Sequence, residues 1–304
     1  MATLTQSPDR AGASGGVVAD LIAGVILEVS DLAATRAFYE PVFRDAGGDW
    51  SEGRRNLTFR SGRQSIEFVL RVRPRTFTDA GNHQAYRVRP SRLESVVAEL
   101  TRAGHAVDWW GEDHPAEHKP AAYFLDPSGN RVQLVASDNR SVLLDHVAVE
   151  VFEFDYVEHV YLGNLGGRMD YYHGWKIEDY DDARAWAAGD DPCAPWTRRD
   201  NPGWTDFRDN GRANPNLRVA RPNTHEFIRF GDTLLGLISA TKLRQEPPEE
   251  VVRGTPRAVL HSAQPAAEVV ASLSATLPIP FEHQGRSAFL KDPDGNFLEL
   301  RCET

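Results

Sequence analysis

Two stretches of the chain nearly repeat each other: Phe124-Leu-Asp-Pro-Ser-Gly-Asn-Arg-Val-Gln133-Leu and Leu290-Lys-Asp-Pro-Asp-Gly-Asn-Phe-Leu-Glu299-Leu. In each, an apolar start runs into Asp-Pro-x-Gly-Asn and then into an alternating strand. Proline presets φ at the second turn position, while Gly and Asn accept positive φ. The motif therefore reads as a tight turn between two strands. One such turn carries little information. Two of them, closing comparable segments, point to duplication.

Working outward, the starts of the segments match as well. Gly24-Val-Ile-Leu-Glu-Val29 aligns with His146-Val-Ala-Val-Glu-Val151, both with the period of two that marks a strand. His83-Gln-Ala-Tyr-Arg-Val88 and Val259-Leu-His261-Ser-Ala open two further units. Helical apolar spacing follows in 91–103 (Leu93, Val96, Val97, Leu100) and in 265–276 (Val269, Val270, Leu273). Residues 33–43 and about 156–165 read as the other two helices. Strands are predicted over 56–60, 65–72, 226–230 and 233–238. The pattern of strand, helix and several strands thus occurs four times, over 19–73, 82–136, 142–240 and 256–302. The fold class is α+β, with a flexible lead-in at 1–18, one domain over 19–136 and a second over 142–304. The third unit carries a long polar insertion, 179–223, whose Trp186, Trp196 and Trp204 favour an ordered cover over a mobile loop. Residues 242–254 read as a polar linker.

Composition narrows the function classes. The chain has 304 residues, 41% hydrophobic and 26% charged, which excludes a disordered or collagenous protein. With 34 basic against 44 acidic residues the formal charge is −10, a poor match for a nucleic-acid backbone. The apolar stretch 17–29 is interrupted by Asp20, Gly24 and Glu28 and is too short to span a bilayer. Cys193 and Cys302 are the only cysteines, which predicts free thiols and a cytoplasmic location. Phosphate-cradling, dinucleotide-binding and nucleophile-elbow motifs are absent from the sequence.

Four βαβββ units with paired Asp-Pro-x-Gly-Asn turns resemble the vicinal oxygen chelate superfamily, which includes glyoxalase I, bleomycin- and fosfomycin-resistance proteins and type I extradiol dioxygenases. The resemblance covers about residues 19–302. It implies that units pair in chain order, one with two and three with four, each pair curling around a cleft. It also implies metal ligands on the first strand of one unit and on the first and last strands of its partner.

In the second domain those positions are His146, His261 and Glu299. Two histidines and a carboxylate suit non-haem Fe(II), with Mn, Zn or Ni as alternatives. The corresponding first-domain set is Gly24, His83 and Gln133, which implies a domain without metal and a structural His83. The implied activity is extradiol cleavage of a small catechol-like substrate by O2, with His225 or His283 as the acid/base. Phe289 stands where that family carries a tyrosine. Tyr156, Tyr161, Tyr171, Tyr172, His159 and His173 are further donors the third unit offers. Two alternatives remain open. One is a non-redox isomerase, epimerase or lyase with a Lewis-acid metal; the other is a small-molecule-binding resistance protein. The partners expected are a small molecule and O2, with neither nucleic acid nor membrane; a homo-oligomer is compatible with the sequence.

Overall fold

The computed structural model describes residues 19–76, 82–110, 121–139, 142–151, 159–172, 175–176, 225–239, 251–277, 279 and 281–303. The insertion at 179–223 lies outside them. The first unit runs β1 (Ala19–Val29), α1 (Leu32–Phe43), β2 (Asp49–Glu52), β3 (Asn56–Ser61) and β4 (Gln64–Leu70). The second runs β5 (His83–Val88), α2 (Pro90–Arg102), β6 (Asp108–Trp110), β7 (Ala121–Leu125) and β8 (Arg131–Ala136). In the third, β9 (Leu144–Val151) leads to β10 (Arg168–Tyr172), β11 (Trp175–Lys176), β12 (His225–Phe230) and β13 (Thr233–Ser239). The fourth is β14 (Arg257–Pro265), α3 (Ala266–Thr276), β15 (Phe281–Gln284), β16 (Ser287–Lys291) and β17 (Phe297–Glu303). The α+β reading from four repeated units is what the chain adopts.

Local chemistry explains the elements. Asp31 caps α1, its Oδ1 accepting from the N–H groups of Ala33 and Ala34 at 2.8 and 3.0 Å. Pro90 starts α2, where a missing N–H costs nothing. The four apolar residues picked out by spacing in α2 are all buried. The third unit differs from expectation: among its described residues, His159–Asn164 form a π-helical turn rather than an α-helix. Three glycines within 163–167 weaken helix formation there.

Strand order departs from the pairing that the resemblance implies. An eight-stranded sheet runs β15-β16-β17-β14-β1-β4-β3-β2, and a nine-stranded sheet runs β11-β10-β12-β13-β9-β5-β8-β7-β6. Unit one therefore shares a sheet with unit four, and unit two with unit three. The joints are antiparallel pairs of first strands, β1 with β14 and β5 with β9. Units one and two are joined differently, through side chains. Phe38, Tyr39 and Phe43 of α1 pack on Phe68 and Phe59 of their own unit and also on Tyr86 and Phe124 of the next. Such aromatic pairs add about 0.5–1.5 kcal/mol each beyond burial. No helix among the described residues is long and apolar enough to cross a membrane.

The repeated turns complete that second kind of joint. In the first, Asp126 Oδ1 accepts from the N–H groups of Ser128 and Asn130, both at 2.9 Å. The amide of Asn130 donates to Asp126 Oδ2 and to the carbonyl of Glu28, and Tyr39 Oη donates to the same carboxylate. The second turn repeats this with Asp292, Asn296, the carbonyl of Glu150 and Tyr161. Each turn thus clasps the preceding unit. Tyr161 is consumed here, fully buried, and is no free donor for a cleft.

Burial pushes Asp292 up to about 6, against the opposing pull of Asn296 and Tyr161. A carboxyl that holds its proton more tightly folded than unfolded loses stability for the protein as pH climbs from about 4 to about 6. Asp292→Asn cannot titrate, so its thermal unfolding midpoint should lack this fall between pH 4 and pH 6.5. An unchanged fall in the variant would contradict the assignment.

Candidate metal centre

Register decides which side chains share a face. In the nine-stranded sheet His83 pairs with Ala148 and Ala85 with His146, so the two histidines sit on one face of neighbouring strands, two residues out of step. Ala85 also pairs in parallel with Gln133 on β8, which brings Gln133 to the same face. The three side chains meet. His83 Nε2 lies 3.0 Å from His146 Nε2 and 3.0 Å from Gln133 Oε1. All three residues are buried.

The tautomers follow from the partners. His146 Nδ1 is 2.9 Å from Asp145 Oδ2, and an ionised carboxylate only accepts, so Nδ1 carries the proton and Nε2 presents a lone pair. Burial works to raise the Asp145 carboxyl, but the hydrogen bonds from His146 and Arg87 and the Arg87 charge outweigh it and hold it well below the usual range. Arg87 Nε donates to Asp145 Oδ1 at 2.6 Å and Arg87 Nη2 to the carbonyl of Asp232 at 2.7 Å, which fixes the carboxylate. Tyr123 lies edge-on to His83 and Phe227 edge-on to His146, with ring centres 5.6 and 5.2 Å apart.

These donors fit a divalent ion. Two ligands bonded at about 2.1 Å and set at right angles are about 3.0 Å apart, which is the spacing found around His83 Nε2. The carboxylate behind His146 is the usual outer partner of a ligating imidazole. Among the described residues no three of His, Cys, Asp and Glu cluster for a metal; the third donor here is an amide. Asp145→Asn would offer an N–H to His146 Nδ1 and so favour a proton on Nε2, where the ion needs a lone pair. It is expected to weaken zinc binding by about 10–100-fold, read by competition with a chromophoric chelator.

The eight-stranded sheet repeats the same register with different residues. Ile26 pairs with Arg257, Gly24 with Val259, and Val259 with Glu299. Arg257, Glu299 and Gly24 therefore occupy the positions of His83, Gln133 and His146. Glu299 is held by Arg257 Nε at 2.9 Å, Arg301 Nε at 2.9 Å and Ser287 Oγ at 3.0 Å. Burial would raise its carboxyl, yet Arg301, Arg257 and Ser287 keep it lowered. An internal ion-pair cluster fills this second cleft.

The expected trio His146, His261 and Glu299 is not brought together, because His146 lies on one sheet and the other two on the other. Arg257, four residues before His261, stands at the place expected for that histidine. His261 itself, midway along β14, binds Asp20 at 2.8 Å and Arg63 at 2.9 Å. His83, expected to be structural in a domain without metal, instead joins His146, with Gln133 beside it.

The acid/base candidates divide. His283 is exposed and bonds the carbonyl of Gly285 in its own hairpin at 2.7 Å. It alternates with Glu282, which pairs with Phe289 opposite Glu299, so His283 belongs to the other face of the sheet. His225 opens β12 opposite Ile238; its side chain, like those of His159, Tyr171 and Tyr172, lies outside the described residues, as do Tyr156 and His173. A cavity of about 50 Å3 lies between the core-facing sides of the two sheets, lined by Val25, Gln84, Val147, Ala258, the turn residues Asn130 and Asn296, and Arg131 at the start of β8. It contains none of the three donors.

No protein-family profile and no curated protein matches the sequence. Solved structures do match the fold. Glyoxalase I from Zea mays superposes with a TM-score of 0.59 at 14% identity, covering 92% of each chain. A Bacillus subtilis protein assigned as a dioxygenase gives 0.56 at 11% identity, covering 94% of this chain and 86% of that one.

Proposed function

We propose, from the premise that the chain has the vicinal oxygen chelate fold, that it is a metal-dependent enzyme centred on His83, Gln133 and His146. It acts on a small oxygen-bearing molecule without redox change at the metal, as an isomerase, epimerase or lyase would. The observation carrying this reading is the convergence of three neutral donors, one of them aimed by a partly buried carboxylate. A divalent ion bound there supplies Lewis acidity, polarising a substrate carbonyl or hydroxyl oxygen. Because both imidazoles and the amide are neutral, the donor set cancels none of that ion's charge. Imidazole donors suit zinc, nickel and iron, whereas manganese prefers carboxylates.

The chain's own residues do the rest. Asp145 keeps His146 Nε2 free of a proton, and Arg87 keeps Asp145 in place. Tyr123 and Phe227 flank the imidazoles and restrict water. Oxygen-dependent ring cleavage was expected from His146, His261 and Glu299, which sit on two sheets, so that reading loses its ligand set. The two structural neighbours carry different names and do not choose between the chemistries.

The test uses zinc, which has no redox chemistry. Zinc-loaded protein is assayed without oxygen against small 2-hydroxy and 2-oxo carbonyl compounds, and the iron-loaded form against catechols in an oxygen electrode. Turnover by the zinc form under nitrogen is the expected result. Oxygen uptake that requires iron, with no turnover by the zinc form, would overturn the proposal.

A further inference from the structure

Arg131 sits two residues before Gln133 on β8, hence on the same face and about 6–7 Å along the strand. Its guanidinium lies over the ring of Tyr123, 4.8 Å from the centroid, and Tyr123 in turn packs against His83. That stacking holds the cation at the side of the donor cluster. Arg131 has neither an ion pair nor a hydrogen-bonding side-chain partner among the described residues. Two carboxylates of the same sheet are paired with other arginines: Asp145 with Arg87 at 2.6 Å, and Asp170 with Arg229 at 2.6 Å.

The other cleft supplies the contrast. Phe297 follows the second turn where Arg131 follows the first, and the arginines on that face, Arg257 and Arg301, are both spent on Glu299. In that cleft both cations share one buried carboxylate. The other keeps a half-buried guanidinium beside three neutral donors.

We infer that Arg131 is the anion-recognising residue of this cleft and that the substrate is a small carboxylate. The carboxylate would engage Arg131, and an oxygen-bearing end one strand row away would reach His83, Gln133 and His146. The inference rests on the proposed metal centre only for that second half. A guanidinium paired with a planar carboxylate can form two parallel hydrogen bonds, which a neutral amide cannot reproduce.

The experiment therefore uses metal-free protein, with benzoate and benzamide as isosteric probes titrated by NMR or calorimetry. Wild type should bind benzoate roughly tenfold more tightly than benzamide, the difference expected of a charge-assisted contact. Arg131→Gln and Arg131→Met should erase the preference with the fold intact by circular dichroism, and Arg131→Lys should keep part of it. Equal affinities, no saturable binding of either probe, or a preference that survives both substitutions would overturn the assignment. The outcome is separate from the metal question, because failure of the histidines to take an ion would not alter a metal-free titration.

Discussion

His146→Ala is expected to abolish tight binding of a divalent ion, with a loss beyond the roughly 100-fold that removal of an outer partner costs. His146 is the donor whose lone pair the structure prepares most completely. Its Nδ1 proton is taken by Asp145, Asp145 is held by Arg87, and its Nε2 faces His83. Removing the ring leaves one imidazole and one amide, too few for selective binding of a first-row ion. His83→Ala should behave alike. Glu299→Gln and His261→Ala should leave metal affinity unchanged. Glu299→Gln should instead lower stability, because Arg257 and Arg301 lose their buried counter-charge. Competition titrations with zinc and cobalt on these four variants separate the two clefts. A loss of affinity in Glu299→Gln with none in His146→Ala would reverse the assignment.

Gly24→Ala is the second large effect, and it falls on folding. A Cβ at Gly24 would lie 1.9 Å from the carbonyl oxygen of Ser65 and 2.9 Å from its carbon. Both are backbone atoms of β4, which pairs in parallel with β1 in the middle of the eight-stranded sheet. No side-chain rotation relieves the contact, so the two strands must part. A cost of about 3 kcal/mol or more is expected, with a fall in the unfolding midpoint of at least ~5 °C. Gly62→Ala is the control: its φ is +56°, yet nothing lies within 4 Å of the added carbon. That variant should pay only the left-handed conformational cost of about 1 kcal/mol. If Gly24→Ala proved no worse than Gly62→Ala, close strand approach would not be the reason for glycine there. The same contact explains why β1 carries no histidine at the position matching His146, since any side chain at 24 meets β4.

The repeats were legible because their chemistry is local. Proline, glycine and asparagine announce the two turns, and apolar spacing marks α2 and its buried face. What the sequence concealed is which first strands meet. β1, β5, β9 and β14 all carry period-two patterns, and alternation says which face is apolar without naming the neighbour. Pairing units in chain order made His83 and Gln133 the remnant of a lost site. Adjacency of units two and three puts both beside His146, as the proposed metal centre requires. The alignment through His261 failed for a related reason: a histidine was matched to a histidine, while the ladder matches Arg257 to His83. The trio of His83, Gln133 and His146 comes together only under the unit pairing that the hydrogen-bond ladder reveals. Arg131 was hidden differently. An arginine after a turn is ordinary, and only its stacking on Tyr123 beside His83 singles it out.

The proposed metal centre belongs to the nine-stranded sheet. Anomalous diffraction from crystals of zinc- or cobalt-loaded protein tests it most directly. A single peak within bonding distance of His83 Nε2, His146 Nε2 and Gln133 Oε1 is the predicted result. A peak at Glu299, with none between the two histidines, would contradict it.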